Sequence, residues 1–226
     1  MPDTPTADPI DMLAAADFSG GLCQVLQYNP PLPGTAHLFP DDYLSTLYAR
    51  MKSASILERT MCGMRELSAN AIVPYLATKP VFAAVEWSPD HSKFTTLGFG
   101  FIINWIGIPY PAPGPRSAAG GYCMFPDAWG TPEAEILSML GLARMFHTYS
   151  LQSLYGQRYI RNALTARFMG RFGFKDIAVL PDFITHRNGN GVELGACVVS
   201  HLTRQDFADY VSRQMASVES NIDQEA

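Results

Sequence analysis

The stretch RNALTARFMGRFGF, residues 161–174, decides the fold of this chain. Asn162 stands where a side-chain oxygen can accept from the exposed N–H groups of a helix's first turn. Thr165 and Met169 follow three and seven residues later, which puts them on one helical face. Gly173 comes just past the last turn, where glycine enters the left-handed region at least cost. Phe174 then anchors the chain as the next element begins. The spacing predicts a short capped helix between two strands.

Downstream, 176–184 and 192–201 read as strands joined across HRNGNG, whose two Asn-Gly pairs signal a hairpin. A final amphipathic stretch carries Phe207, Tyr210 and Val211. Upstream, 155–161 is a short strand. Thr131-Pro132-Glu133 opens a helix to about His147, with Ile136, Met139, Leu140 and Ala143 facing inward. Residues 121–125 (GYCMF) read as a strand. Before it, residues 108–120 (IPYPAPGPRSAAG) hold four prolines and read as a long irregular connection, a candidate partner surface. Residues 94–106 form a long apolar strand in which Gly98 and Gly100 suggest a bend or bulge. Residues 81–87 form another strand, with SPDHSK as the turn between the two. Pro40, Asp41 and Asp42 start a helix with Leu44, Leu47, Tyr48 and Met51 on one face. A second helical pattern with Leu57, Met61, Met64 and Leu67 ends near Pro74. Residues 21–28 alternate as a half-buried strand would.

This order of elements predicts an α+β (mixed α/β) domain with antiparallel neighbours rather than a doubly wound sheet. The chain has 226 residues, 47% hydrophobic and 16% charged, enough for one substantial core. One domain is expected over 13–216, with flexible tails at 1–12 and 217–226. The net charge of −5 argues against nucleic acid as a partner. Cys23, Cys62, Cys123 and Cys197 have neither metal-ligand spacing nor disulfide density, so reduced thiols and a cytoplasmic protein without a bound metal are expected. The longest apolar run is far shorter than the ~20 residues a membrane-spanning helix needs, so no membrane role is expected.

Asn162, a small residue three on, Gly-Phe at 173–174 and then a strand and an Asn-Gly hairpin resemble the GNAT N-acetyltransferase superfamily. The ending GVELGACVVSHLTRQDF resembles the branch that modifies protein N-termini. The resemblance implies a GNAT-like fold: a central, mostly antiparallel sheet of about seven strands whose fourth and fifth strands splay. It implies acetyl-CoA in that gap, paired with fourth-strand backbone from Tyr122 to Phe125, with Met124 and Phe125 as cofactor-binding residues. The pyrophosphate would rest on the turn DAWGTPEA through Trp129, Gly130, Thr131 and Ala134, and Asn162 and Thr165 would face the cofactor. The implied reaction is attack of an acceptor amine on the thioester, with Asp127 or Glu86 as base. The acceptor would be a small molecule or a protein N-terminus.

Several residues depart from the family pattern. Pro132 stands where glycine is usual and has no N–H to offer a phosphate. Asp127, Glu133 and Glu135 place three acids beside an anion site. Met169 replaces the tyrosine many members use as general acid. Arg167, Arg171 and Lys175 either meet the cofactor's 3′-phosphate or complement a helix C-terminus. Two readings follow: an acetyl-CoA-dependent N-acetyltransferase, or an inactive GNAT-fold interaction protein within a larger assembly, such as a virus particle, built in the cytoplasm.

Overall fold

The computed structural model describes residues 8–15, 22–28, 39–54, 68–108, 110, 112–188 and 191–225. The chain runs α1 (Pro9–Ala15), β1 (Cys23–Tyr28), α2 (Tyr43–Ser53), α3 (Ala69–Ala77), β2 (Val81–Trp87), β3 (Phe94–Ile106) and β4 (Arg116–Met124). After a 3-10 turn at Pro126–Ala128 come α4 (Pro132–Thr148), β5 (Leu151–Tyr159), α5 (Ala163–Arg171), β6 (Lys175–Asn188), β7 (Gly191–Thr203) and α6 (Arg204–Glu225). The seven strands form one sheet in the order β1-β2-β3-β4-β5-β7-β6. Every neighbouring pair is antiparallel except β4–β5. That pair is parallel because a whole helix, α4, carries the chain back across the sheet between them. The α+β class, the seven mixed strands and the GNAT-like order are those the sequence predicts.

The sheet separates two cores. Alternation in β2 shows the division: Phe82 and Ala84 point to a core shared with α1, α4 and α6, whereas Val81, Ala83 and Val85 point to one shared with α2 and α3. Phe82, Phe146 and Phe207 in the first core and Phe99 and Phe125 in the second are fully buried. Each is worth about 1.5–3 kcal/mol of transfer free energy. Register fixes this two-sided arrangement, since a slip of one residue would turn every side chain to the wrong layer.

β3 carries two extra residues. Leu97 bulges where the β2 register shifts between Ala84 and Val85, and Ile103 where the β4 register shifts between Ile102 and Asn104. Gly98 adjoins the first bulge. A Cβ there would stand 2.7 Å from the carbonyl oxygen of Cys123, closer than backbone can give way.

The structure corrects several boundaries. β4 begins at Arg116, so 116–120 is paired strand and not loop. β5 begins at Leu151, four residues before the expected start. α3 runs past Pro74 to Ala77, because burial of Ile72 and Leu76 offsets the hydrogen bond that proline removes. Ile136 points to solvent, and Leu137 takes the buried position. Where a tail was expected through residue 12, α1 stands with Ile10 buried. Arg204 fastens that helix by pairing with Asp8 and Asp11. The pattern Leu57, Met61, Met64 and Leu67 lies outside the described residues.

Candidate active site: the gap between β4 and β5

β4 and β5 pair at only four positions: Arg116–Leu151, Ser117–Ser153, Ala118–Leu154 and Ala119–Tyr155. Beyond them the strands part. Gly120 to Met124 continue on β3, and Gly156 to Tyr159 continue on β7. The edge of β4 that faces the gap therefore presents backbone groups without a ladder partner. Such groups are satisfied only by water or a ligand.

A cavity of about 280 Å³ fills the gap. Its lining includes Leu142 and Met145, which belong to the α4 layer, and Phe101, which belongs to the α2–α3 layer. Side chains from both faces of the sheet thus meet in its wall.

α5 roofs the cavity. Asn162 caps it, its side-chain oxygen accepting from the Thr165 N–H at 3.1 Å. Gly173 ends it at φ +93°, as its place in the sequence requires. No residue of α5 is buried, although Thr165, Phe168 and Met169 line the cavity. The helix lies over a void and touches the rest of the wall through few side chains. Phe168 stacks on Tyr122 of β4 with ring centroids 6.2 Å apart. Tyr122 is firmly held: its hydroxyl donates to the Leu137 carbonyl at 3.2 Å and its ring packs where Gly100 and Gly141 leave room. Burial pushes its phenol far above the ordinary range, so it keeps its proton.

Arg158 of β5 also lines the cavity and is 8% exposed. It pairs with Asp176 at 2.5 Å, and Asp176 accepts a second bond from Ser200. The Arg158 Nε is buried without a partner among the described residues.

The turn before α4 looks inward on itself. The N–H groups of Trp129 and Thr131 bond to the carbonyls of Pro126 and Ala128, and the N–H of Ala134 bonds to Thr131 Oγ1 at 3.2 Å. Pro132 occupies the first helical position. The Trp129 indole donates to the Met124 carbonyl at 2.8 Å. Three donors that an anion could use, the N–H groups of Trp129, Thr131 and Ala134, are thus committed.

Of the residues singled out in the sequence, Asn162 and Thr165 line the cavity. Met124 ends β4 and Phe125 follows it, with buried side chains, one in each core. Trp129, Gly130, Thr131 and Ala134 form the α4 turn beyond the lining. Asp127 is exposed and pairs with Arg50 at 2.5 Å; Arg50 also lies 4.3 Å over the Phe125 ring. Glu86 is exposed near the end of β2, opposite Cys23, whose thiol is raised by burial and then by Glu86 and Glu133. Neither carboxylate belongs to the lining. Tyr122 lies in the backbone stretch expected to pair with the cofactor, whereas Tyr155, Arg158 and Phe168 are among the lining residues that sequence reasoning did not select. Alternation in GYCMF marks Tyr122 as a strand residue, but nothing local marks the others. Among the described residues no three His, Cys, Asp or Glu side chains converge on a metal site, and no helix is long and apolar enough to cross a membrane.

No protein-family model and no curated protein matches the chain. Solved structures do. The spermidine N-acetyltransferase from Vibrio cholerae, solved with CoA and spermine, superposes with TM-score 0.59 at 13% identity, covering 81% of this chain and 98% of that one. The ribosomal-protein-S5-alanine acetyltransferase from Vibrio fischeri gives 0.55 at 13% identity, covering 82% and 95%. Mycobacterium smegmatis RimJ, in complex with CoA-disulfide, gives 0.55 at 15%, covering 76% and 84%. The chain has the GNAT fold. At these identities the likeness extends to the fold, and the chemistry must be argued from the gap itself.

Proposed function

We propose that this protein is an N-acetyltransferase that takes the acetyl group of acetyl-CoA and passes it to an amine. The observation that carries the reading is the parting of β4 from β5 after four paired positions, which leaves an unladdered β4 edge beside a cavity lined from both faces of the sheet. The residues fit the two ends of such a cofactor unequally. The β4 edge at Gly120–Tyr122 suits a pantetheine arm and a thioester carbonyl, since its free N–H groups can hold and polarise that oxygen. The α4 turn suits the pyrophosphate poorly, given Pro132 and the committed N–H groups around it. The cofactor would supply the activated acyl group; Tyr122 and Phe168 would flank the arm.

The acceptor amine enters from the face bearing Phe101 and Tyr155. Asp127 and Glu86 stand off the cavity, so either would deprotonate the amine through water. Exchange of the responsible one for its amide would lower kcat with little change in KM. The protein-N-terminus branch is the finer proposal, resting on the Trp129-Gly130 and C-terminal pattern and on likeness to an enzyme named for ribosomal-protein alanine. No observation favours an inactive assembly protein.

Calorimetric titration with acetyl-CoA tests the reading. Binding with a rise in melting temperature is expected. Absence of heat and of thermal shift at millimolar cofactor would overturn it.

A further inference from the structure

The outer face of α5 and the residues leading into it carry a pattern that the acetyl-CoA reading does not use. Leu164 is 65% exposed and Ile160 44% exposed. Arg161 and Arg167 are exposed beside them. Arg171 is engaged by Glu135, but among the described residues Arg161 and Arg167 meet no carboxylate. These side chains border the place where the gap opens, because Ile160 and Arg161 directly follow the end of β5. The site therefore has a channel beside the β4 edge, a poorly furnished pyrophosphate turn, and a mouth that bears Arg161, Arg167, Ile160 and Leu164 on the α5 side and exposed Glu133 on the α4 side.

We infer that the gap also accepts an acyl thioester presented on the phosphopantetheine arm of an acidic carrier protein, which docks on Ile160, Arg161, Leu164 and Arg167. This rests on the proposed thioester chemistry and names a second donor for it. The arm needs only the cavity and the β4 edge. It brings one phosphodiester where coenzyme A brings a pyrophosphate and a 3′-phosphate, so the committed N–H groups and Pro132 cost it less. The carrier's acids complement Arg161 and Arg167, which meet no carboxylate among the described residues, and burial of Leu164 and Ile160 supplies an apolar centre. In the reaction the thioester C–S bond breaks, the amide C–N bond forms, and the proton lost by the amine ends on the carrier's thiol.

The experiment measures binding, so it needs no acceptor. The probes are the holo and apo forms of a bacterial fatty-acid-synthase acyl carrier protein, free CoA, and pantetheine. The holo carrier is expected to bind more tightly than the apo form or CoA, with affinity falling as salt rises. In the R161E/L164D double variant, holo-carrier affinity should fall about tenfold or more, while pantetheine affinity is unchanged. Holo carrier binding no better than apo carrier, or indifferent to R161E/L164D, overturns the inference. If CoA binds and the carrier does not, only this inference falls. If no probe binds, the acetyltransferase reading falls with it.

Discussion

At the scale of the residue, Pro132 sets two demands against each other. Its ring fixes the backbone angle a first helical position needs, and its missing N–H is no loss to the helix. For an incoming phosphate the same absence removes a donor. Thr131 strengthens the bias, since its hydroxyl oxygen accepts the Ala134 N–H that a phosphate would otherwise use. Pro132→Ala should therefore tighten CoA binding by about 1 kcal/mol, roughly one hydrogen bond's net worth, at little cost to folding. Calorimetry on the two proteins checks this; equal affinities would mean that the phosphate does not sit on this turn.

At the scale of the element, α5 is the least secured helix around the gap. It buries none of its own residues; the Asn162 cap secures its first turn, and the Phe168–Tyr122 stack and the Arg171–Glu135 pair tie it to its neighbours. Local stability follows local burial. Amide exchange over 163–171 should be faster than over α4, and saturating CoA should slow it by filling the space beneath. Asn162→Ala should destabilise the fold by about 1 kcal/mol and quicken that exchange further. This helix was also the most legible part of the sequence: Asn162, Gly173 and Phe174 are local signals, and they read correctly. So did the exact ends of β2 and β3, where apolar runs stop at turn residues. What could not be read was set by tertiary contacts. Arg116-Ser-Ala-Ala-Gly has no strand character of its own; it is strand because β3 lies along one side and β5 along part of the other. Tyr155 and Arg158 became cavity residues because β4 turns away from β5, an event encoded in no short window. Asp127 and Glu86 drew attention by charge, yet pairing with Arg50 and a position two strands away keep them outside the lining.

At the scale of the whole molecule, three parts distant in sequence meet at Arg204. It bonds to Asp8 and Asp11 on the N-terminal side, and donates to the Phe146 carbonyl near the end of α4. Asp11 also contacts His147 at 2.9 Å. Burial would raise the Asp11 carboxyl, but the bonds to His147 and Arg204 outweigh it and hold it below the ordinary value. Asp206 is held low as well, by Lys175 and then Thr203. Groups with depressed pKa contribute stability that is complete above their unfolded-state value, near 4, and is lost as pH falls through the folded value. Denaturant midpoints should thus hold down to about pH 5 and drop steeply below pH 4. Asp11→Asn should lower the midpoint at pH 7 and flatten that acid limb. A limb unchanged by the substitution would show that the N-terminal helix is not joined to the rest through this cluster.

The indole of Trp129 is 42% exposed and holds the carbonyl of Met124, the last residue of the strand that borders the gap. A ligand that runs along that strand to its last residue meets this bond and this ring. The molecule thus contains its own optical reporter, whose emission wavelength and quenching register occupancy without any label. Trp87 donates to Gln24 and Trp105 neighbours Arg116, both away from this carbonyl. Replacing those two with phenylalanine leaves a single tryptophan at the end of β4, against which candidate donors can be screened in a cuvette.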